Sequence, residues 1–189
     1  MAIARNYPKP KELGHLMLDL ETMGNSSNSA IVSIGAVEFD IESGHFGREF
    51  YQRVDLQSCL NMGLIVNAST IYWWMQQSDK ARMELVKNSD QLAKVLQELH
   101  GFMLELGNFQ IWGNGARFDI GILEDAYKAC GYIETPWNFR NERDVRTLVS
   151  FAPKVKEHYP FTGTEHHPID DCKYQIGYCS AIWNKLNKD

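Results

Sequence analysis

The order of apolar and polar residues predicts that the chain begins with a group of strands. The segment from His15 to Leu20 is short and almost continuously apolar, which is typical of a strand buried on both faces. Residues 31–39 and 46–54 predict two more strands, and the turn residues 42–44 between them predict a hairpin. The polar segment 25–29 predicts a loop after the first strand. We therefore expect the first three strands to be antiparallel.

The remainder of the chain predicts helices that alternate with two further strands. Ser69 or Thr70 is expected to cap the first helix, and Ser78 is expected to cap a helix that follows it. Apolar residues at helical or strand spacing predict helices over 71–75, about 89–107, about 118–130 and 172–186, and strands over 109–112 and 139–145.

This order of elements predicts an α/β fold with a central mixed five-stranded sheet flanked by helices, not a purely parallel sheet. The 189 residues match the length of one ordinary domain, and 44% apolar with 23% charged residues exclude a mainly disordered chain. We expect a single domain over residues 14–189, preceded by a flexible tail over residues 1–13 that contains proline and lysine.

Charge and apolar content narrow the classes of function. The net charge of −5 excludes a strongly basic coat for nucleic acid, but not a metal-dependent enzyme that acts on nucleic acid. No apolar segment approaches the ~20 residues that span a bilayer. The amino terminus has no apolar block typical of a signal peptide. We therefore expect a cytoplasmic protein without a membrane segment.

Two acids end the first strand. Asp19 and Glu21 are two residues apart, and strand geometry places such side chains on one face, roughly 7 Å apart. Burying two carboxylates on one face is unfavourable without a counter-charge. The alternative is that the strand ends at Leu18 and both acids are solvated.

Three further acids begin predicted helices. Asp119 shares the inward face of its helix with Ile122, while Asp170 and Asp171 begin the last helix, with His166 five residues before Asp171. Each acid also has a simple explanation, because a carboxylate in the first turn stabilises a helix through its dipole.

Taken together, the acids indicate a functional site. They lie at a strand end and at two helix starts, and open α/β sheets place their sites just beyond strand ends. If the carboxylates converge, their repulsion requires divalent cations, and oxygen ligands favour Mg²⁺ or Mn²⁺. Two such ions about 4 Å apart clamp an in-line phosphoryl displacement. Histidine is the usual side chain for proton transfer at neutral pH, and His166 is the candidate for removing a proton from the attacking water.

Three segments carry a resemblance to a known family. Asp19-Leu-Glu21-Thr22 resembles the first motif, Asp-x-Glu, of the DEDD exonuclease superfamily. Asn114-Gly-Ala-Arg-Phe-Asp119 is similar to the second motif. His166-His-Pro-Ile-Asp-Asp171 is similar to the third in its histidine-containing (DEDDh) form, with Pro168 where alanine is usual. The motifs occur in the family's order and span nearly the whole domain.

The resemblance is greatest to phage and bacterial 3′–5′ exonucleases of the exonuclease A and exodeoxyribonuclease VIII-like type. Residues 17–24 and 31–37 carry it, and ribonuclease AS is similar over the same motifs. It implies a ribonuclease H-like fold, with His166 as general base and His167 as its nearest competitor. It also implies two ions, Mg²⁺ or Mn²⁺, held by Asp19, Glu21, Asp119 and Asp171, with Asp170 as the competitor of Asp171.

Several other residues are candidates for substrate binding. If the resemblance holds, Thr22, Met23 and Gly24 lie beside the terminal nucleotide, and Asn114 lies near the active site. The alternative for residues 22–24 is an ordinary loop.

Tryptophan and arginine residues add two further candidates. Trp73 and Trp74 are adjacent on a helix and face different ways, so at least one is expected in the core. The other, taken as Trp74, is the candidate for stacking on a base, and the favoured alternative is that both pack in the core. Arg143 is the candidate phosphate contact within the series Arg140, Arg143 and Arg146, whose alternative is a self-neutralised surface segment.

These features predict a metal-dependent 3′–5′ exonuclease that hydrolyses single-stranded DNA from its 3′ end to nucleoside 5′-monophosphates. A 3′–5′ exoribonuclease is the main alternative, and by analogy we expect a homodimer. An inactive binder of nucleic-acid ends and an unrelated small-molecule α/β protein are rival hypotheses. A nucleotide-cofactor protein would use Gly113-Asn-Gly115, but the third glycine of that fingerprint is replaced by Phe118.

Overall fold

The central strand of the protein is buried on both faces, as its apolar sequence predicts. The computed structural model describes residues 14–188, in which five strands form one mixed sheet in the order β3-β2-β1-β4-β5. The pairs β1–β2 and β2–β3 are antiparallel, whereas β4 lies parallel to both β1 and β5. The strands are β1 His15–Thr22, β2 Ile31–Phe39, β3 Phe46–Arg53, β4 Gln110–Gly113 and β5 Glu142–Asp144. The predicted α/β class and mixed five-stranded sheet are confirmed.

Helices flank the sheet. They are α1 Leu56–Asn61, α2 Ala68–Met75, α3 Asp79–Val86, α4 Leu92–Leu106, α5 Ala116–Ala129, α6 Val145–Phe151, α7 Pro153–Glu157 and α8 Pro168–Leu186. None of the helices in the described part of the chain has both the length and the apolar character needed to cross a bilayer. The predicted tail over residues 1–13 lies outside the described residues.

The two faces of the sheet support separate apolar cores. Leu16, Leu18 and Leu20 of β1 pack with residues of α4 and α5 on one side. Met17 packs with residues of α6 and α8 on the other side. The alternation of side chains along β1 therefore assigns each residue to one of two helical layers.

Helix α8 lies very close to β2 at one glycine. A Cβ atom added at Gly35 would lie 2.5 Å from the Cβ atom of Pro168, which is closer than two carbon atoms can pack. Gly35 therefore allows the first turn of α8, which carries Asp171, to rest directly on the sheet.

Local capping explains the differences from the predicted elements. Ser78 caps α3 as predicted, but α2 is capped by Asn67 rather than by Ser69 or Thr70, because the Asn67 side chain accepts the Ser69 backbone N–H. The predicted strand over 139–145 is shorter than expected. A 3₁₀ turn over Phe139–Asn141 precedes β5, and Asp144 then caps α6. Helices α1, α6 and α7 were absent from the predicted order.

Candidate active site

One cleft, at the carboxyl ends of β1 and β4, contains the predicted acids and the predicted histidine. Its volume is about 600 Å³, within the range of small-molecule sites in proteins. Strand β1, helix α5 and helix α8 with its preceding loop each contribute side chains to its wall. The five residues brought together are Asp19, Glu21, Asp119, His166 and Asp171.

Strand pairing positions the first two acids. β1 stays paired with β2 as far as Thr22, and Glu21 lies opposite Ser33 in this ladder. Asp19 and Glu21 therefore share one face, the face of Met17 that is covered by α8. The alternative, in which the strand ends at Leu18 and both acids are solvated, is wrong.

Hydrogen bonds hold two of the carboxylates in place. Gln175 of α8 donates from Nε2 to Oδ1 of Asp19 over 2.9 Å. The backbone N–H of Leu20 donates to Oδ1 of Asp119 over 3.2 Å, which ties the first turn of α5 to β1. The side chain of Asp119 is buried, and its Oδ2 atom has no hydrogen-bond partner among the described residues. The Oδ2 atom of Asp119 is therefore available to bind a ligand.

The carboxylates perturb one another. Burial raises the pKa of Asp19 to about 8, and repulsion from Asp119 adds to this effect against the Gln175 hydrogen bond. Burial, followed by repulsion from Asp19 and Asp171, raises the pKa of Glu21 well above its ordinary value. Burial also raises the pKa values of Asp119 and Asp171 to about 7 each. The cluster therefore resists full ionisation at neutral pH unless cations compensate its charge.

The donor atoms fit divalent cations. Within the described chain, one ligand atom each from Glu21, His166 and Asp171 lie within 4.8 Å of one another. Together with the unpartnered Oδ2 of Asp119, this set is dominated by carboxylate oxygen, which suits Mg²⁺ or Mn²⁺. The same distances place the His166 ring close enough to ligate a cation itself.

His166 has an unusual backbone conformation. Its φ of 62° is positive, and its backbone N–H donates to Oδ2 of Asp171 over 3.1 Å. Its ring meets the Trp73 ring edge-on, with 4.9 Å between centroids. A strained residue held by its neighbours is typical of functional sites.

The two competing residues lie outside the cleft. The ring of His167 packs against Tyr51 with 4.8 Å between centroids. Asp170 accepts the backbone N–H of Thr164 over 2.8 Å and so stabilises the turn before α8. Neither side chain lines the cleft.

The predicted stacking residue is corrected by the structure. Trp74 is 3% exposed, and its indole N–H donates to the carbonyl of Thr22 over 3.0 Å, so its ring faces are covered. Trp73 is 40% exposed and lines the cleft. Trp74 is the buried residue of the pair because it lies on the side of α2 that contacts the end of β1 at Thr22.

The predicted phosphate contact is also corrected. The Arg143 guanidinium donates to the carbonyl oxygens of Arg140 and Glu142, and the side chain does not line the cleft. Arg146, three residues later, does line it. Arg143 and Arg146 have different surroundings because β5 ends at Asp144, so that Arg143 lies in the strand and Arg146 lies in the first turn of α6.

The remaining substrate candidates divide into two groups. Asn114 lines the cleft as predicted. Thr22, Met23 and Gly24 do not line it. The Thr22 hydroxyl donates to the Gly24 carbonyl over 2.6 Å, and Met23 borders an apolar groove beside α2 and α3. This segment directly follows Glu21, and its contact with a terminal nucleotide stays a prediction.

Sequence reasoning assigned no role to several residues of the cleft. Gln175 is a buried polar residue four positions after Asp171, and this helical spacing is the signal that points to it. The other lining residues without an assigned role are Leu20, Phe118, Lys156, Phe161, Glu165, Tyr174 and Tyr178.

Comparison with known proteins identifies related sequences. The family described as the 3′–5′ exoribonuclease Rv2179c-like domain matches residues 14–183. An exodeoxyribonuclease of Enterobacteria phage T4 is 28% identical over 166 residues, which cover 75% of this chain and 73% of the phage protein.

Solved structures share the fold at low identity. The nuclease domain of 3′hExo, a DEDDh family member bound to rAMP, superposes with a TM-score of 0.64 at 15% identity, over 90% of this chain and 91% of that one. Exonuclease I of E. coli, in complex with a dA16 oligonucleotide, gives 0.64 at 14% identity over 92% of this chain. Exonuclease I of Methylocaldum szegediense gives 0.63 at 10% identity over 92% of this chain. The chain spans 41% of the length of each exonuclease I.

Proposed function

The chain belongs to the family of 3′–5′ exoribonuclease Rv2179c-like domains, and from this membership we propose that it is a metal-dependent 3′–5′ exonuclease of single-stranded nucleic acid. The observation that carries the proposal is the convergence of four carboxylates and one histidine in a single cleft. A protein that merely bound nucleic-acid ends would gain nothing from clustered acids, because they repel phosphate.

Each residue of the cluster has a role in the proposed reaction. Asp19, Glu21, Asp119 and Asp171 would hold Mg²⁺ or Mn²⁺. Two bound ions would neutralise the carboxylates, polarise the phosphodiester and lower the pKa of the attacking water. His166 accepts the proton of that water at its imidazole ring.

The bond that breaks defines the product. Water attacks the phosphorus of the last phosphodiester, and the bond from phosphorus to the 3′-oxygen of the preceding nucleotide breaks. The departing nucleotide keeps the phosphate as a nucleoside 5′-monophosphate, and the shortened strand has a new 3′-hydroxyl.

The remaining roles concern the terminal nucleotide. Asn114 lines the cleft beside the acids, and the exposed Trp73 offers a ring for base stacking in place of Trp74. The backbone of Thr22 to Gly24 would contact the terminal nucleotide from the end of β1, because this segment directly follows Glu21. We also propose that residues 14–189 form one exonuclease domain and that the enzyme is a homodimer.

DNA is the substrate that we favour, because the homologous phage T4 protein is an exodeoxyribonuclease and the motifs resemble phage exonucleases of the exonuclease A type. The description of the matched family, an exoribonuclease domain, favours RNA as the second candidate. The two-metal chemistry neither requires nor forbids a 2′-hydroxyl.

Digestion of 5′-labelled single strands tests the proposal. DNA and RNA of matched sequence are incubated with Mg²⁺, Mn²⁺ or a chelator, with Asp119→Asn as the inactive control. We expect ladders that shorten from the 3′ end, release of 5′-monophosphates, and no reaction in chelator. Cleavage of a circular strand, or activity equal in chelator and in Mg²⁺, would contradict the proposal.

A further inference from the structure

A second groove lies next to the acidic cleft, beside the start of α5. Its volume is about 490 Å³, and Phe118 and Arg146 line both spaces, so that the two are adjacent. The loop after β1 forms the opposite wall with Asn25, Ser26 and Ser27. The digestion experiment on the acidic cluster does not depend on this groove.

The groove differs from the cleft in charge. Among the described residues that line it, Arg117 and Arg146 are the formally charged ones, and both are exposed. Within residues 14–188 neither guanidinium donates a hydrogen bond or forms an ion pair, although Arg146 lies near enough to lower the pKa of Asp144. The Asn25 amide and the serine hydroxyls add neutral donors. This combination of free guanidinium groups with amide and hydroxyl donors is suited to phosphate oxygens.

Hydrogen bonds fix the backbone of the two helices that meet at Arg146. Asp144 accepts the backbone N–H of Thr147 with Oδ1 over 2.7 Å and that of Ala116 with Oδ2 over 2.6 Å. One carboxylate therefore joins the first turns of α6 and α5. The Arg146 guanidinium lies over Gly115, where an added Cβ atom would be 3.1 Å from Cζ. The φ of Gly115 is +99°, which also disfavours a side chain there.

The lining residues of the cleft that the groove does not share differ in chemistry from the groove. They include Lys156, but also the carboxylate of Glu165 and the rings of Phe161, Tyr174 and Tyr178. The Lys156 ammonium lies over the Tyr178 ring, 5.4 Å from its centroid. Aromatic rings beside a carboxylate favour a single nucleoside over a run of phosphates.

We propose that the groove of Arg117 and Arg146 holds the sugar-phosphate backbone upstream of the terminal nucleotide. Arg146 contacts the phosphate nearest the acidic cleft, because it lines both spaces, and Arg117 contacts the phosphate beyond it. This assignment rests on the proposed exonuclease function. It adds the direction in which the strand leaves the cleft.

Substrate length provides the kinetic test. The variants Arg117→Gln and Arg146→Gln are compared with wild type on a 12-residue oligothymidylate and on the p-nitrophenyl ester of thymidine 5′-monophosphate, which has no upstream phosphate. We expect the ratio of kcat/KM for the 12-mer to kcat/KM for the ester to fall about tenfold in each variant. Arg48→Gln, which removes the same charge from strand β3, is the matched control and should leave the ratio unchanged.

Salt dependence provides a second readout that does not need catalysis. Binding of the labelled 12-mer is measured by fluorescence anisotropy in chelator at several salt concentrations. Each lost arginine contact should reduce the slope of log K against log salt by about 0.7, the value for a single strand. Arg146→Lys retains the charge and should restore most of the slope, which separates a phosphate contact from a role in folding.

The outcomes distinguish the two proposals. If the wild type binds the 12-mer through the arginines but does not hydrolyse it, the exonuclease proposal fails and the groove assignment stands. If hydrolysis is normal and both arginine variants behave like Arg48→Gln in length and salt dependence, the groove assignment is wrong. An equal loss on the ester and on the 12-mer would also overturn it.

Discussion

The two faces of β1 have opposite chemistry, although they alternate along one strand of eight residues. Leu16, Leu18 and Leu20 enter an apolar core, and complete burial of each stabilises the fold by about 1.5–3 kcal/mol. On the other face only Met17 is apolar, and it is followed by Asp19 and Glu21, whose raised pKa values show that their charges are unfavourable there. The leucine face of β1 therefore stabilises the fold, whereas the acid face, which carries Asp19 and Glu21, is unfavourable for folding and suited to binding cations.

Neutralising an acid of the cluster should have the largest effect on nuclease activity. It should also distinguish the acids from the leucine face most clearly, because activity and stability should change in opposite directions. Asp119→Asn keeps an oxygen for the Leu20 N–H but removes one charge from the cluster. We expect nuclease activity to fall at least about 10³-fold, because a metal ion contributes several kcal/mol of transition-state stabilisation. The unfolding midpoint of the metal-free variant at pH 8 should rise. A variant that kept its activity, or lost stability, would contradict the division between the faces.

The two adjacent histidines before α8 test the chemistry of this loop, since only His166 lines the cleft beside the acid face. His166→Ala should reduce kcat by about 10²–10⁴-fold through loss of the general base, without unfolding. His167→Ala should be much milder, since its ring packs on Tyr51 outside the cleft. Asp171→Asn and Asp170→Asn form the corresponding pair of acid variants. Loss of activity in the His167 and Asp170 variants alone would reverse the assignment.

On the apolar face, Leu18→Ala should have the opposite signature. The fully buried side chain leaves a cavity, and the expected loss in the free energy of unfolding is about 2–5 kcal/mol. Specific activity of the folded fraction at 25 °C should change little, because Leu18 points away from the cleft. Urea unfolding and single-strand digestion of the same preparation measure both quantities. A large loss of kcat without a loss of stability would contradict this prediction.

The sequence predicted the acids of the site better than the residues proposed to contact the substrate. The period of two in β1 and the order of the three motifs indicated the acids, since these depend only on neighbours in the sequence. The choice between Trp73 and Trp74 depends on which side of α2 meets the end of β1, and this contact joins residues far apart in the chain. The sequence also did not show that Asp144 would end β5 and cap α6, and this arrangement places Arg146 rather than Arg143 on the cleft wall.

The pH dependence of stability sharpens the comparison further. The pKa values of Asp19, Asp119 and Asp171 in the folded protein are about 8, 7 and 7, compared with about 3.9 for an unfolded aspartate. Between these limits the native state binds more protons than the unfolded state, so the free energy of unfolding falls as pH rises. The metal-free protein should therefore melt at a lower temperature at about pH 8 than at about pH 5.

Two comparisons control for other titrating groups. The decrease in melting temperature should be smaller in Asp119→Asn, and smaller again in wild type with saturating Mg²⁺, which binds deprotonated carboxylates. Calorimetry at a series of pH values measures all three. An identical pH dependence in wild type and Asp119→Asn would show that the acid face does not carry the effect.

The smallest expected effect on activity comes from a substitution at Gln175, an uncharged residue that contacts Asp19 of the acid face. Its Nε2 atom donates to Asp19, so Gln175→Met should leave the Asp19 carboxylate free to rotate while nearly conserving side-chain volume. Residues that orient metal ligands typically change metal affinity or activity by about 10–100-fold, and we expect the lower end of that range. Titration with Mn²⁺ should show weaker activation, and a high Mn²⁺ concentration should restore part of the lost kcat.

Ser180→Ala is the matched control, because Ser180 is another buried polar residue of α8 but donates to the Glu42 carbonyl away from the cleft. It should leave Mn²⁺ activation unchanged. If Gln175→Met lowered only the melting temperature, or if Ser180→Ala weakened Mn²⁺ activation equally, the hydrogen bond to Asp19 would be structural. A selective change in Mn²⁺ activation would show that the helix opposite β1 orders the acids as well as covering them.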